Sequence, residues 1–160
     1  MAALSMIIYK HAKFPSDVDP MVPNLVTRED TEESQATCAF EIRLRMQSIP
    51  DSINIIQAWD DEELVGFVVG IIYPNKTSMS LPQTWSKTGN PFEIAEYMFS
   101  GLLMWAVTCG RNAIVGECDR EAGPLFRRYG FVEIAKIIER KITDEEIHTI
   151  KRLGKELIHG

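Results

Sequence analysis

The sequence predicts an α/β protein of the mixed α+β kind, in which helices flank one mixed β-sheet. Two apolar, β-branched runs, "SINIIQAW" and "LVGFVVGIIY", are separated by the acidic turn "DDEE" and predict an antiparallel hairpin. The second run is apolar on both faces, which is typical of a strand covered on both sides of its sheet. Helical and strand patterns then alternate along the rest of the chain, as expected for a sheet flanked by helices.

The chain before the hairpin predicts one strand and then two segments of less regular pattern. "SMIIYKHA" is β-branched and aromatic and predicts the first strand, whereas "FPSDVDPMVPN" holds three prolines and predicts irregular backbone. From Thr31 to Gln47 two patterns compete. Thr31 followed by acidic residues favours a capped helix, but apolar and charged residues alternate as in a strand. We expect the helix and leave the strand open; the alternating apolar residues are Phe40, Ile42, Leu44 and Met46.

The next two elements predict a strand followed by the longest helix. "TSMSLPQTWS" predicts a strand in which Pro82 marks an edge or a bulge. "PFEIAEYMFSGLLMWAVTCG" predicts a helix with Pro91 in its first turn and Gly110 at its end. Its core-facing apolar stripe is Ile94, Met98, Leu102, Trp105, Ala106 and Cys109.

The last part of the chain predicts a short buried strand "AIVGEC", a short helix "PLFRRYG" and a strand "FVEIAKIIERKI". An amphipathic helix, "TDEEIHTIKRLGKELIHG", follows and begins with a capping box formed by Thr143 and Glu146. We expect residues 1–142 to form the domain and residues 143–160 to pack on it or on a partner. That partner could be a second copy or a larger assembly; the apolar stripe is Ile147, Ile150, Leu153, Leu157 and Ile158.

Composition excludes several classes of protein. The 160 residues suit one domain, and a net charge of -6 argues against nucleic-acid binding, which requires a basic surface. The three cysteines form no CxxC pair, so we expect no metal site. We find no signal-peptide pattern and no apolar run of the ~20 residues that a membrane span requires. We therefore expect a cytoplasmic protein with no nucleic-acid or membrane partner.

Three phrases resemble the GNAT family of acyl-CoA-dependent N-acetyltransferases. They are "DDEELVGFVVG", the long helix followed by "CGRNAIVGECD", and "DREAGPLFRRYGF". In the third phrase the family shows Asn, Ala, Tyr and then Gly-Phe at fixed spacing. The matching positions here are Asp119, Ala122, Phe126, Gly130 and Phe131. The resemblance covers residues 5–142 and implies the GNAT-like acyl-CoA N-acyltransferase fold, with a mixed, twisted and partly splayed sheet and with the C-terminal helix as an addition.

The resemblance implies acetyl-CoA as the cofactor, and transfer of its acetyl group to a primary amine of a small molecule or protein. In the family, a loop of form Gln/Arg-x-x-Gly-x-Gly/Ala holds the CoA pyrophosphate at the start of the long helix, where unpaired N–H groups form an anion site. "SKTGNP" occupies that place, and "LPQTWS" would bind the pantetheine. The implied CoA-binding residues are Trp85, Ser86, Lys87, Thr88, Gly89, Asn90, Asp119, Phe126, Arg127 and Arg128.

Several of these positions depart from the family pattern. Ser86 replaces a long polar residue, and Pro91 replaces the last glycine or alanine and removes one N–H donor. "TGNP" therefore reads equally well as a turn and cap of a packed helix. Arg127 and Arg128 could meet CoA phosphates or form a solvated basic pair.

Two residues are candidates for the proton transfers. Glu117, in the strand "AIVGEC", is the expected general base, because burial inside a sheet raises the pKa of a carboxyl towards neutrality. Its alternative is a solvent-facing position on the strand. Phe126 lacks the hydroxyl with which the family protonates the CoA thiolate, and Tyr129 is the expected substitute. Its alternative is an aromatic residue of the core.

Two other functions compete with acetyl transfer. The altered loop and the missing tyrosine favour a catalytically inactive GNAT-like scaffold that serves as a binding or structural module in a larger assembly. A sensor that binds CoA without turnover is the third hypothesis.

Overall fold

The computed structural model describes residues 6–87, 91–117, 129–134 and 137–159. Within them the strands are β1 Ile7–His11, β2 Ile53–Asp60, β3 Glu63–Ile72, β4 Ser78–Ser86, β5 Ala113–Glu117, β6 Val132–Ile134 and β7 Ile137–Lys141. These form one seven-stranded sheet in the order β1-β2-β3-β4-β5-β7-β6. Neighbours are antiparallel except β4 and β5, which are parallel. The mixed sheet confirms the predicted fold class.

Helices cover both faces of the sheet. The α-helices of the described residues are α1 Glu32–Ser48, α2 Pro91–Thr108 and α3 Asp144–His159, and 3-10 helices span Pro15–Asn24 and Pro50–Ser52. One apolar cluster lies between the sheet and α2, and the other lies beneath the first 3-10 helix and α1. β3 supplies both clusters, with Val68 on the α2 face and Phe67 and Val69 on the other. The strand covered on both faces is thus confirmed.

The contested segment after Thr31 is a helix. The Thr31 hydroxyl accepts the amide N–H of Ser34 at 3.1 Å, and the Ser34 hydroxyl oxygen accepts that of Thr31. This reciprocal pair satisfies donors that a helix start leaves open. Of the alternating apolar residues, Ile42 and Met46 are buried, whereas Phe40 and Leu44 are exposed. The strand-like pattern arises because two large apolar side chains of the helix remain exposed to solvent.

The proline-rich segment is more regular than the sequence predicts. Irregular backbone was expected, but Pro15–Asn24 forms ten residues of 3-10 helix. The carboxylate of Asp17 accepts the amides of Lys13 and Phe14 at 2.9 Å each, which fixes the first turn. Val18 and Met21 are fully buried beneath it. Pro15 suits the first turn because its fixed φ fits helical geometry and the N–H that it lacks has no helical partner at that position.

The helix after β4 follows the prediction closely. Pro91 is its first residue, and Gly110 ends it with a positive φ of 72°. On the predicted stripe, Ile94, Met98, Leu102 and Ala106 are all at most 7% exposed.

The end of the chain corrects one prediction. The single strand expected for "FVEIAKIIERKI" is two strands, because Ile134 pairs with Ile137 and β6 folds back on β7. No Gly, Asn, Asp or Pro announces that reversal in the sequence. Tyr129 and Gly130, expected in a short helix, form a turn, and residues 124–128 of that helix lie outside the described part.

The C-terminal helix begins as the sequence predicts. The Glu146 amide donates to the Thr143 hydroxyl, and the Glu146 carboxylate accepts the Thr143 amide, each at 3.2 Å. Ile147 and Ile150 pack against the cluster beneath α2, whereas Leu153 is 44% exposed. At least the first half of α3 therefore packs on its own domain.

Candidate functional site

The sheet opens where β4 and β5 part. They pair in parallel from Ser78 with Ala113 to Leu81 with Gly116, and no pair follows among the described residues. β4 continues along β3 to Ser86, while β5 continues along β7 to Glu117. One sheet thus divides into two diverging arms. The edge of β4 that faces the gap presents main-chain hydrogen-bonding groups beyond the last pair.

A bulge in β4 and a glycine in β5 mark the point of division. Val69 pairs with Gln83 and Ile71 with Ser80, so two residues of β4, one of them Pro82, lie opposite Gly70. The predicted irregularity at Pro82 is therefore a bulge, which bends the strand. On β5, a Cβ atom at Gly116 would lie 3.0 Å from the carbonyl oxygen of Leu81. Only glycine allows the two strands to approach so closely where they part.

The described residues at the far end of β4 are largely engaged in packing. Trp85 packs its ring on Phe67, with centroids 5.6 Å apart, on the α1 face. Ser86 is next along the strand and therefore points to the α2 face. The Lys87 amide donates to the Val65 carbonyl at 2.8 Å, and its ammonium forms an ion pair with Glu63. Lys87 thus has two partners within the protein.

Much of the predicted CoA site lies outside the described residues. This holds for Thr88, Gly89 and Asn90 of the loop, and for Asp119, Phe126, Arg127 and Arg128. Four residues join Ser86 to Pro91, so the loop connects the diverging arm of β4 to the start of α2. The phosphate-binding roles of these residues remain predictions.

Glu117 lies at the gap, whereas Tyr129 is partly buried against the α2 cluster. Glu117 is the last residue of β5 and pairs with Ile137, one position beyond the last pair of β4 and β5. Its backbone therefore lies at the wall of the gap; its side chain is not among those described. The ring of Tyr129 packs on Phe99 of α2 at a centroid distance of 5.3 Å. Its carbonyl oxygen accepts the Nε–H of Arg140 at 3.0 Å.

A pocket that the sequence did not reveal lies on the α1 face of β4. It has a volume of about 480 Å³ and is lined by Cys38, Glu41, Ile42, Leu44, Arg45, Ser48, Ile49, Ile71, Tyr73, Pro82 and Gln83. Pro82 and Gln83 belong to the part of β4 beyond its pairing with β5, so the pocket adjoins the gap. No motif links these residues, because they come from α1, β3 and β4 and meet only in the folded chain.

Gln83 connects the wall of the pocket to the loop that precedes α1. It is 5% exposed, its Oε1 accepts the Val26 amide at 2.8 Å, and its Nε2 donates to the Val26 carbonyl at 2.7 Å. The Nε2 atom also lies 3.6 Å from the sulfur of Cys38. Burial, and then the charge of Glu41, raise the pKa of the Cys38 thiol above its ordinary value, although the hydrogen bond from Gln83 opposes them. The thiol is therefore protonated at neutral pH and is no nucleophile.

Arg45 lines the pocket beside Tyr73, and Lys76 lies near the same ring. The guanidinium of Arg45 lies over the ring of Tyr73, 4.8 Å from its centroid, and donates to the Ser52 hydroxyl at 3.0 Å. The ammonium of Lys76 lies 5.3 Å from the same centroid. The surroundings of Tyr73 are therefore positively charged.

The described residues contain no group of three or more histidine, cysteine or acidic residues placed to hold a metal ion. None of their helices combines the length and apolarity that crossing a bilayer requires.

Comparison with known proteins identifies the fold. No family model and no curated sequence matches the chain. An acetyltransferase from Streptococcus agalactiae is 15% identical over 85% of this chain and 98% of its own, with a TM-score of 0.66. PaiA N-acetyltransferase from Thermoplasma acidophilum, solved with coenzyme A, is 17% identical over 84% and 99%, with a TM-score of 0.63. A GNAT-family acetyltransferase from Staphylococcus aureus is 13% identical over 86% and 100%, with a TM-score of 0.61. This chain has the fold of the GNAT acetyltransferases.

Proposed function

We propose that the protein binds acetyl-CoA in the gap between β4 and β5 and transfers the acetyl group to a primary amine. The parting of the two strands after Leu81 and Gly116 carries the proposal. It leaves an extended main-chain edge on β4 that can pair with the amides of the pantetheine arm. The loop from Lys87 to Asn90 then leads to the start of α2, where N–H groups and the helix dipole favour phosphate. The coenzyme A complex of PaiA, which has this fold, supports the same ligand.

In the proposed reaction the amine nitrogen attacks the thioester carbonyl carbon. The C–N bond forms, the C–S bond breaks, and the sulfur leaves as a thiolate that takes up a proton. Glu117, directly or through a water, removes the proton that the amine loses. Tyr129 is the proposed donor to the thiolate. Its ring packs on Phe99, so a donor role requires its hydroxyl to lie at the edge of that cluster.

Titration with acetyl-CoA and with CoA tests the binding step. A ligand at a thousand times its Kd stabilises a protein by about 4 kcal/mol, which thermal or urea unfolding detects readily. Glu117→Gln should keep this stabilisation and abolish thiol release with an amine acceptor. The control is Glu145→Gln, an exposed carboxylate on α3, which should alter neither. If millimolar acetyl-CoA leaves the unfolding transition unchanged, the proposal is refuted.

A non-catalytic scaffold is the second candidate, and two features of the structure favour it. Pro91 is the first residue of α2 and offers no N–H, and the amide and ammonium of Lys87 already have partners in Val65 and Glu63. Both features weaken a phosphate site. This candidate predicts no stabilisation by CoA or acetyl-CoA, so the same titration separates the two functions.

A further inference from the structure

The pocket beneath α1 combines aliphatic walls with two opposite charges. Its walls are mostly aliphatic, from Ile42, Leu44, Ile49, Ile71 and Pro82. Among its described lining residues the ionisable charges are the carboxylate of Glu41 and the guanidinium of Arg45. Apolar pockets with a few placed polar groups are typical of small-molecule sites.

The two charges are close together and are not bonded to each other. Glu41 and Arg45 are four residues apart on α1, so they lie on one face about 6 Å apart along the helix axis. The ion pairs of the described residues do not include one between them. Arg45 instead packs on Tyr73 and donates one N–H to Ser52. A guanidinium has five N–H donors, so others remain for a carboxylate.

The contacts of α1 with the sheet show which of the two charged residues lies nearer to the gap. Cys38, one turn before Glu41, lies against Gln83, on the part of β4 that has left β5. Arg45 lies against Tyr73, which directly follows β3, beside the start of β4. Glu41 is therefore on the side of the gap, and Arg45 is on the side away from it.

We infer that this pocket takes a free amino acid with an apolar side chain. Its ammonium group would face Glu41, its carboxylate Arg45, and its side chain the aliphatic walls. The amine would then point towards the gap, where an acyl donor is proposed to lie. As an acceptor site the inference rests on the proposed acetyl transfer, whereas as a binding site it stands on the pocket alone.

Binding of leucine and two single-charge analogues tests the inference without turnover. Isoamylamine is leucine without its carboxylate, and isocaproate is leucine without its amine. Because a charge-assisted hydrogen bond changes affinity by about tenfold or more, leucine should bind at least about tenfold more tightly than either analogue. Calorimetry or ligand-observed NMR on the whole protein, with and without CoA, gives these constants.

Two variants assign the charges to their residues. Glu41→Gln should weaken leucine and isoamylamine but not isocaproate, and Arg45→Gln should weaken leucine and isocaproate but not isoamylamine. Glu33→Gln and Arg152→Gln change exposed charges outside the pocket lining and serve as matched controls. Glu41 is exposed, so its variant should fold normally even if loss of the Arg45–Tyr73 contact destabilises the other.

The outcomes separate this inference from the proposed function. If the three ligands bind alike, or if Glu41→Gln leaves leucine affinity unchanged, the inference is overturned, even where acetyl-CoA binds and other amines are acetylated. If leucine binds selectively but acetyl-CoA does not bind, acetyl transfer fails and the amino-acid site stands. Acetylation of leucine that both pocket variants reduce would support both.

Discussion

Replacing Gln83 with leucine tests how the wall of the pocket is held. The side chain is 5% exposed, and its amide forms a closed pair of hydrogen bonds with the main chain of Val26, at 2.8 and 2.7 Å. Leucine has nearly the same volume, so Gln83→Leu leaves no large cavity and removes mainly these two bonds. Each neutral hydrogen bond stabilises the folded state by about 0.5–1.5 kcal/mol, which gives about 1–3 kcal/mol for the pair. Because the Val26 side chain is 55% exposed, water can reach this segment, and we expect about 1–2 kcal/mol.

The assay combines urea unfolding with hydrogen exchange. In a domain of this size, a loss of 1 kcal/mol lowers Tm by about 2–4 °C. The exchange of the Val26 amide should become faster, because its acceptor is gone. Gln57→Leu is the matched control. Gln57 is also buried, and its amide donates to the Asp17 carbonyl at 2.7 Å.

We expect Gln57→Leu to destabilise the protein similarly but to leave the Val26 amide protected. Unchanged exchange at Val26 in Gln83→Leu would refute the reasoning, whatever the change in global stability. Equal loss of protection in both variants would also refute it, since it would show general unfolding rather than release of one segment.

The other predictions concern Glu146 at the start of α3 and two glycines with a positive φ. Burial alone would raise the pKa of Glu146, but hydrogen bonds from Arg140 and Thr143 outweigh it and lower the pKa below its ordinary value. A lowered folded-state pKa adds stability above the unfolded-state pKa that is lost as the pH falls through the folded value. Glu146→Gln should therefore destabilise the protein at neutral pH and make its unfolding free energy depend less on pH in the acid range. If urea unfolding shows the same decrease of the unfolding free energy at acid pH in the variant and in the unmodified protein, this prediction is wrong. Gly130→Ala should cost more than the ~1–2 kcal/mol of a left-handed backbone, because φ is 84° and the new Cβ would lie 3.3 Å from Nε of Arg140. Gly110→Ala, with φ 72° and no atom within 4 Å, should cost only the backbone term, and equal losses in the two variants would show that the Arg140 contact adds nothing.

The elements that the sequence predicted well are those with both a periodic pattern and a stop signal. The helix α2 has a stripe from Ile94 to Ala106, a proline at its start and a glycine at its end. The β2–β3 hairpin has two apolar runs around an acidic turn. The pattern failed where no residue type signals the change of direction. β6 and β7 read as one strand because Ile134 and Ile137 turn back on each other without a turn residue between them.

Gln83, in the wall of the pocket, and Gln57, buried elsewhere in the sheet, show why such contacts could not be predicted. Gln57 and Gln83 lie in strands among apolar residues, and the sequence alone assigns them no role. Their partners, Asp17 and Val26, are 40 and 57 residues away along the chain. A buried amide must find hydrogen-bonding partners, but which main-chain groups supply them depends on how the 3-10 helix and the following loop cross the sheet. That crossing is a property of the whole fold.

The ambiguity of the segment after Thr31 bears directly on the ligand. In a strand, Glu41 and Arg45 would also share one face, but at about 3.3 Å per residue they would lie roughly 13 Å apart. In the helix they are about 6 Å apart along the axis, a separation that the two charged groups of one amino acid can bridge. The cap formed by Thr31 and Ser34, together with the burial of Ala39, Ile42 and Met46, selects the helix. The same local interactions that decide the secondary structure therefore set the spacing of the two charges, and with it the class of molecule that the pocket can hold.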